Sequence, residues 1–270
     1  MSTTYNVPKY LPPQPIDLPD RQWPTRQITD SPVWCSVDLR DGNQALPNPL
    51  GPDQKLAYFQ MLCRIGFKHI EVAFPSASQD DFNFTRRLIE EEQIPRDVFI
   101  MGLTQCRPHL IDRTFEAFEG IPRGIVHAYV AASDLHMNQV LNLSRRETMD
   151  MAVRAARQIR DLAAARPDSD IRFEFSPEEF TDTDQQFALE LCEAVFEEWG
   201  RATEDKPLIL NLPATVERRP PNQYADMIEW FGRRFSQRDK VLISVHGHND
   251  QGMAVAATEL SLLAGADRVE

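Results

Sequence analysis

Glycine is scarce, with 11 in 270 residues, and no strand candidate is followed by G-x-G-x-x-G or by G-x-x-x-x-G-K-[ST]. A phosphate-cradling nucleotide fold of either kind is thereby disfavoured. Cysteine is equally thin. Cys35, Cys63, Cys106 and Cys192 are widely spaced and form no C-x-x-C pair, which speaks against a disulfide scaffold or a zinc ribbon. No apolar run approaches the ~18 residues of a membrane span, so no membrane partner is expected. Positive charge is in deficit, 29 Lys and Arg against 41 Asp and Glu for a net charge of -12. A polyanion would meet a repulsive field, which argues against nucleic acid. The N-terminus carries neither a basic apolar signal nor an Arg/Ser-rich presequence, so the cytoplasm is the expected location, with the mitochondrial matrix not separable from it.

Proline is abundant and unevenly placed: half of the 20 prolines fall in the first 52 residues. The stretch from Lys9 to Pro32 lacks helical or strand periodicity and reads as an extended arm. Because it carries Tyr10, Ile16, Leu18 and Trp23, it is expected to pack on a surface, such as that of a partner subunit, with a disordered tail as the alternative. The expected organisation is an arm over residues 1–32 and one domain over residues 33–270.

From Val33 onward, short apolar runs alternate with amphipathic stretches. Candidate strands start near Trp34, His69, Val98, Gly124, Ile171, Leu208, Val241 and Asp267, at intervals of 26 to 47 residues. Helices between them carry punctuation: Pro52-Asp53 and Pro108 at starts, Gly120 and Gly265 at ends, Ser144-x-x-Glu147 as a capping box and Thr183-x-x-Gln186 resembling one. Strands apolar on both faces with helical crossovers imply a parallel sheet. Seven strand-helix units and the start of an eighth strand predict an α/β fold of the (β/α)₈ TIM-barrel type. Since the sequence ends at Glu270, the expectation is a barrel truncated in strand eight, unclosed, with unpaired strand edges.

In such a barrel the strand C-termini converge on one mouth, and polar groups there are the candidates for chemistry. Strand one runs into Asp38-Leu39-Arg40-Asp41 and strand seven into His246-Gly247-His248. Histidines at i and i+2 on extended chain share a side, so with Asp41 they form a candidate two-histidine, one-carboxylate metal site. Strand four adds His127, strand five Glu174, Ser176 and Glu178, strand six Asn211 and Thr215, and strand three leads to Thr104-Gln105-Cys106-Arg107. A satisfied core histidine remains open for His127, and a helix N-terminal acid for Glu178. A divalent ion beside Arg40 suits a small 2-oxo acid: metal on the keto oxygen, guanidinium on the carboxylate or the developing alkoxide.

The motifs SVDLRDGNQAL, EVAFPSASQDDF, LTQCRP, FEFSPEEFT, LNLPATVE and HGHND, in this order and together with the arm, resemble the 2-isopropylmalate synthase family over essentially the whole chain. The resemblance implies a metal-dependent Claisen-type condensation of acetyl-CoA with 3-methyl-2-oxobutanoate, followed by thioester hydrolysis. It implies Asp41, His246 and His248 as ligands of Mg²⁺, Mn²⁺ or Zn²⁺, and Arg40, Glu178 and Thr215 as catalytic groups. Leu103, His127, Ser176, Asn211 and Pro213 would bind substrate. It also implies a homodimer and, after strand eight, a further metal-linked Asn and a leucine-sensing domain, so a chain ending at Glu270 is expected to be inactive by itself. The alternatives are a homocitrate synthase-like acyltransferase or acyl-CoA lyase, and a non-catalytic truncated paralogue that binds the full-length enzyme through its arm and open edge.

Overall fold

The computed structural model describes residues 15–270; the first half of the expected arm lies outside the described residues. The order is β1 (Val33–Ser36), α1 (Pro52–Ile65), β2 (His69–Ala73), α2 (Gln79–Glu90), β3 (Phe99–Gln105), α3 (Pro108–Ala117), β4 (Arg123–Ala131), a short α4 (Asp134–His136), α5 (Arg145–Ala164), β5 (Asp170–Glu178), α6 (Gln185–Trp199), β6 (Leu208–Asn211), α7 (Pro221–Arg234), β7 (Val241–Val245), α8 (Ala254–Leu263) and β8 (Arg268–Val269). The strands form one closed parallel barrel in sequence order.

The expected open edge is absent. Strand β8 is two residues long, yet it pairs with β1 (Val33 with Arg268, Trp34 with Val269) and with β7 (Ser244 with Arg268, Val245 with Val269). Flanking backbone bonds extend the seam: Val33 N–H to Asp267 O at 2.9 Å, Asp267 N–H to Ile243 O at 2.8 Å, and Glu270 N–H to Val245 O at 3.1 Å. A strand's backbone groups alternate between its two neighbours, so a short segment can bond on both sides and close the ring.

Strand alternation sorts side chains into two layers. Outward residues such as Ile70, Val72, Phe173, Leu210 and Ile243 join the main core with the helices. Inward residues Cys35, Phe99, Met101, Ile125 and Ile209 make a smaller apolar plug inside the barrel. Helix ends follow local chemistry. Pro52 starts α1 and Gly66, at φ 113°, ends it; Ser144 and Glu147 form the reciprocal capping box of α5. The cap of α6 falls one residue later than Thr183: Asp184 accepts from Phe187 N–H at 2.9 Å, while the Thr183 hydroxyl donates to Glu179 O at 2.8 Å.

The described part of the arm packs on its own barrel. Leu18 is buried, Arg21 forks onto Asp226 at 2.8 and 3.1 Å, and the Trp23 indole donates to Asp226 at 2.8 Å. Glu229, on the same α7 helix, accepts the backbone N–H groups of Gln22 and Trp23. Among the described residues no helix is long and apolar enough to cross a membrane.

Candidate active site

After β1 the chain winds into a π-helical turn over Asp38–Gly42, which sets Arg40 and Asp41 at the C-terminal mouth of the barrel. On the far side of the seam, β7 is prolonged by a bridge between Ala214 and Gly247, with Ala214 N–H donating to His246 O at 2.8 Å and His248 N–H to Ala214 O at 3.3 Å. That extension keeps His246 and His248 extended and on one face. Their rings lie 5.1 Å apart. Asp41 Oδ2 stands 3.2 Å from His246 Nε2 and 3.3 Å from His248 Nε2, and one ligand atom from each of the three residues falls within 4.8 Å of the others.

Two imidazole nitrogens and one carboxylate oxygen facing a common point fit a divalent ion and leave coordination positions open. The electrostatics agree. Hydrogen bonds from His246 and His248 hold the Asp41 carboxyl well below the usual range, against the opposing effect of burial. Burial works to lower His246, but Asp41 and Glu270 outweigh it and raise the imidazole to about 9. A metal ion would compete with that proton.

Arg40 is clamped beside the cluster: Nε donates to Glu71 and Nη1 to Asp41 Oδ1, the latter at 2.9 Å. Burial opposes its charge, yet Glu71 and Asp41 raise its pKa further. His127 sits between Glu71 Oε2, 2.6 Å from Nδ1, and Ser176 Oγ, 2.7 Å from Nε2. Desolvation acts to lower it, but Glu174 and Glu71 prevail and raise its pKa. Both readings of His127 meet here: its nitrogens are satisfied by protein, and its ring lines the cavity.

The eleven residues to which the resemblance gives roles line one cavity of about 220 Å³: Arg40 and Asp41 after β1, Leu103 on β3, His127 on β4, Ser176 and Glu178 on β5, Asn211, Pro213 and Thr215 at and after β6, and His246 and His248 after β7; Glu174 and the stretch Thr104-Gln105-Cys106-Arg107 lie outside this lining. Their individual settings differ. Burial raises the Glu178 carboxyl, partly offset by His136. The Asn211 carbonyl oxygen is buried without a partner. Thr215 Oγ1 accepts from Glu179 N–H at 2.9 Å, and Glu179 itself turns the chain in the left-handed region at φ 60°. Its carboxylate is gripped by Ser133 and by His136, the latter at 2.8 Å. A non-glycine residue there is costly and persists only when surroundings hold it; the consequence is that Glu178, one residue earlier, is fixed at the end of β5.

Sequence reasoning missed Gln44, Phe74 and Tyr129 in the lining, and Glu71 and Glu270 beneath it. Tyr129 was accessible in principle, two residues beyond His127 on the same strand face. Glu71 sits as an isolated acid in the apolar run 69–74, a signal that the strand assignment alone could have raised, whereas Glu270 follows Asp267 and Arg268 and carries no such mark.

The closed parallel barrel, with a two-histidine, one-carboxylate cluster at the C-terminal mouth, defines a TIM-barrel protein with a candidate metal site. The HMGL-like family model matches residues 31–270, and the chain belongs to that family. It is 55% identical over 263 residues to a 2-isopropylmalate synthase of Rhodospirillum rubrum, covering 97% of this chain and 47% of the relative. A 2-isopropylmalate synthase of Paraburkholderia xenovorans is 53% identical over 262 residues, with 97% and 46% covered. The chain thus spans about half the length of the curated relatives it matches. An HMG-CoA lyase structure from Brucella melitensis shares the fold, with a TM-score of 0.66 at 17% identity over 89% of this chain and 80% of that one.

Proposed function

We propose that the chain is the catalytic barrel of a 2-isopropylmalate synthase, which condenses acetyl-CoA with 3-methyl-2-oxobutanoate. The observation that carries this reading is the convergence, in one cavity, of the Asp41–His246–His248 cluster, the Arg40 guanidinium and the Glu178 carboxyl group. The cavity is smaller than the ~300–1,000 Å³ of pockets for drug-sized ligands, as a short branched oxo acid requires. The identity to named synthases supports the substrate pair. The same reading carries the homodimer and the cytoplasmic location with it.

A divalent ion held by Asp41, His246 and His248 would act as a Lewis acid toward the keto oxygen. The protein's own groups divide the remaining work. Glu178 takes a proton from the acetyl methyl group of the thioester; a carboxyl raised by burial binds that proton better than a solvated one does. The methyl carbon then bonds to the keto carbon, and the Arg40 guanidinium donates to the oxygen on which negative charge develops. The Asn211 side-chain N–H and the Ser176 and Thr215 hydroxyls donate to the keto and carboxylate oxygens of the oxo acid, and Leu103 and Pro213 supply an apolar wall for its branched end. The alkoxide so formed takes up one proton, equal to the one that Glu178 removed and gives up again, and water then cleaves the thioester, releasing CoA, the new carboxylate and a proton.

The non-catalytic reading depended on an open sheet edge, which β8 occupies. The test is CoA release by the purified protein with acetyl-CoA, divalent metal and either 3-methyl-2-oxobutanoate or 2-oxoglutarate. The expected inactivity of the isolated chain rested on an unclosed barrel; with the barrel closed, metal-dependent release with the branched acid is expected instead, with Arg40→Lys lowering kcat by about 10²–10³-fold. Release confined to 2-oxoglutarate would favour the homocitrate synthase-like alternative, and no release with either acid would refute the acyltransferase reading.

A further inference from the structure

The two metal-facing histidines are held differently. His248 is partly exposed, its side chain 39% accessible, and its ring contacts Asp41 through Nε2. His246 lies between two carboxylates: Nε2 is 3.2 Å from Asp41 Oδ2, and Nδ1, on the opposite edge of the ring, is 3.3 Å from Glu270 Oε1. The Glu270 side chain is fully buried. Its other oxygen is ion-paired with Arg268 at 3.1 Å, and Arg268 is anchored in turn by Ser244 Oγ at 2.9 Å and Glu174 at 3.1 Å. Arg268 and Glu270 are i and i+2 about the two-residue strand β8, so both point into the barrel.

We propose that Glu270 is a positioning residue for the metal centre: it accepts the Nδ1–H of His246 and so presents Nε2, unprotonated and correctly aimed, to the ion. The arrangement has the form of a carboxylate–histidine–metal triad, in which the outer acid fixes both tautomer and ring orientation. Arg268 keeps that carboxylate in place from behind. The strand that closes the barrel therefore also orients a ligand supplied by its neighbour β7. The inference rests on the metal-site reading above.

The experiment is a titration with Co²⁺ alone, followed by its visible absorption, on the protein and on Glu270→Gln and Ser244→Ala. The second variant loosens Arg268 without touching His246, so a purely structural role would shift both alike. Co²⁺ binding about 10- to 100-fold weaker in Glu270→Gln, with Ser244→Ala within threefold of the parent, is expected. Equal affinities in all three proteins, or equal losses in both variants, would overturn the role of Glu270 while leaving the metal site standing. Absence of Co²⁺ binding by the parent would overturn the metal site and the inference together. Should Glu270→Gln not fold, imidazole ¹⁵N signals of the zinc-bound parent decide: Nδ1 protonated and Nε2 metal-bound on His246 is expected, and the reverse overturns the proposal.

Discussion

His69 opens β2 with its ring inside the barrel, buried, edge-on to Phe99 at 5.7 Å, and with Nδ1 unpartnered among the described residues. Burial, then the positive charges of Arg268 and Arg172, push its pKa from 6.5 down to about 3. The folded protein therefore holds this imidazole neutral at pH values where the unfolded chain protonates it. Its contribution to stability is fully present above pH 6.5, declines as pH falls, and levels off below the folded-state value. The slope is about 1.4 kcal/mol per pH unit, so about 2 kcal/mol is lost between pH 6.5 and 5. His69→Leu should remove that slope. Urea unfolding of both proteins at pH 7 and pH 5 tests it, and an unchanged acid-side loss in the variant would exclude His69 as the source.

At the scale of elements, most of the barrel was legible because each strand is apolar on both faces and bounded by helix punctuation; all eight strand starts fall within one residue of those read from the sequence. Closure was not legible, because a two-residue strand has no periodicity and its pairing partners are backbone groups. The arm was legible as extended chain, but its landing place was not. Asp226 and Glu229 carry no mark in the sequence that sets them apart from other helix acids, and the structure buries both beneath Trp23 and Arg21. Glu229 caps the two successive N–H groups of Gln22 and Trp23, which are otherwise without acceptors at the start of the Trp23–Thr25 turn. Charge-assisted bonds of this type contribute about 1.5–3 kcal/mol each. Glu229→Gln should weaken both and release the arm without opening the barrel. Tryptic cleavage after Arg21 and Arg26 should then become faster while the main unfolding transition shifts little; cleavage at the parent rate would show that Leu18 and the Arg21–Asp226 fork hold the arm unaided.

Across the whole molecule the barrel interior is organised by a closed circuit of charge. Arg268 meets Glu270, Glu270 meets His246, His246 meets Asp41, Asp41 meets Arg40, Arg40 meets Glu71, Glu71 meets His127, and His127 faces Glu174, which returns to Arg268. Basic and acidic side chains alternate around the ring, four arginines and histidines against four acids. The mouth residues of this circuit were legible in the sequence because they follow apolar strands. Of its floor only Glu174 was marked in the sequence; its partner Arg268 lies 94 positions away, and only barrel closure brings the two together. Both are fully buried, and burial raises the Glu174 carboxyl even against the opposing pull of Arg268 and His127. Removing the guanidinium with Arg268→Met leaves two buried acids without their partner and should cost about 3–5 kcal/mol. Glu174→Gln alone strands part of the guanidinium and should also destabilise. In the double variant the neutral amide at position 174 mimics a protonated acid beside an apolar side chain, so the losses should fall short of their sum by more than the ~0.5 kcal/mol error of independent sites. Denaturant unfolding of the four proteins measures that coupling. Strict additivity would mean that the circuit is a set of independent contacts, and that β8 closes the barrel through its backbone alone.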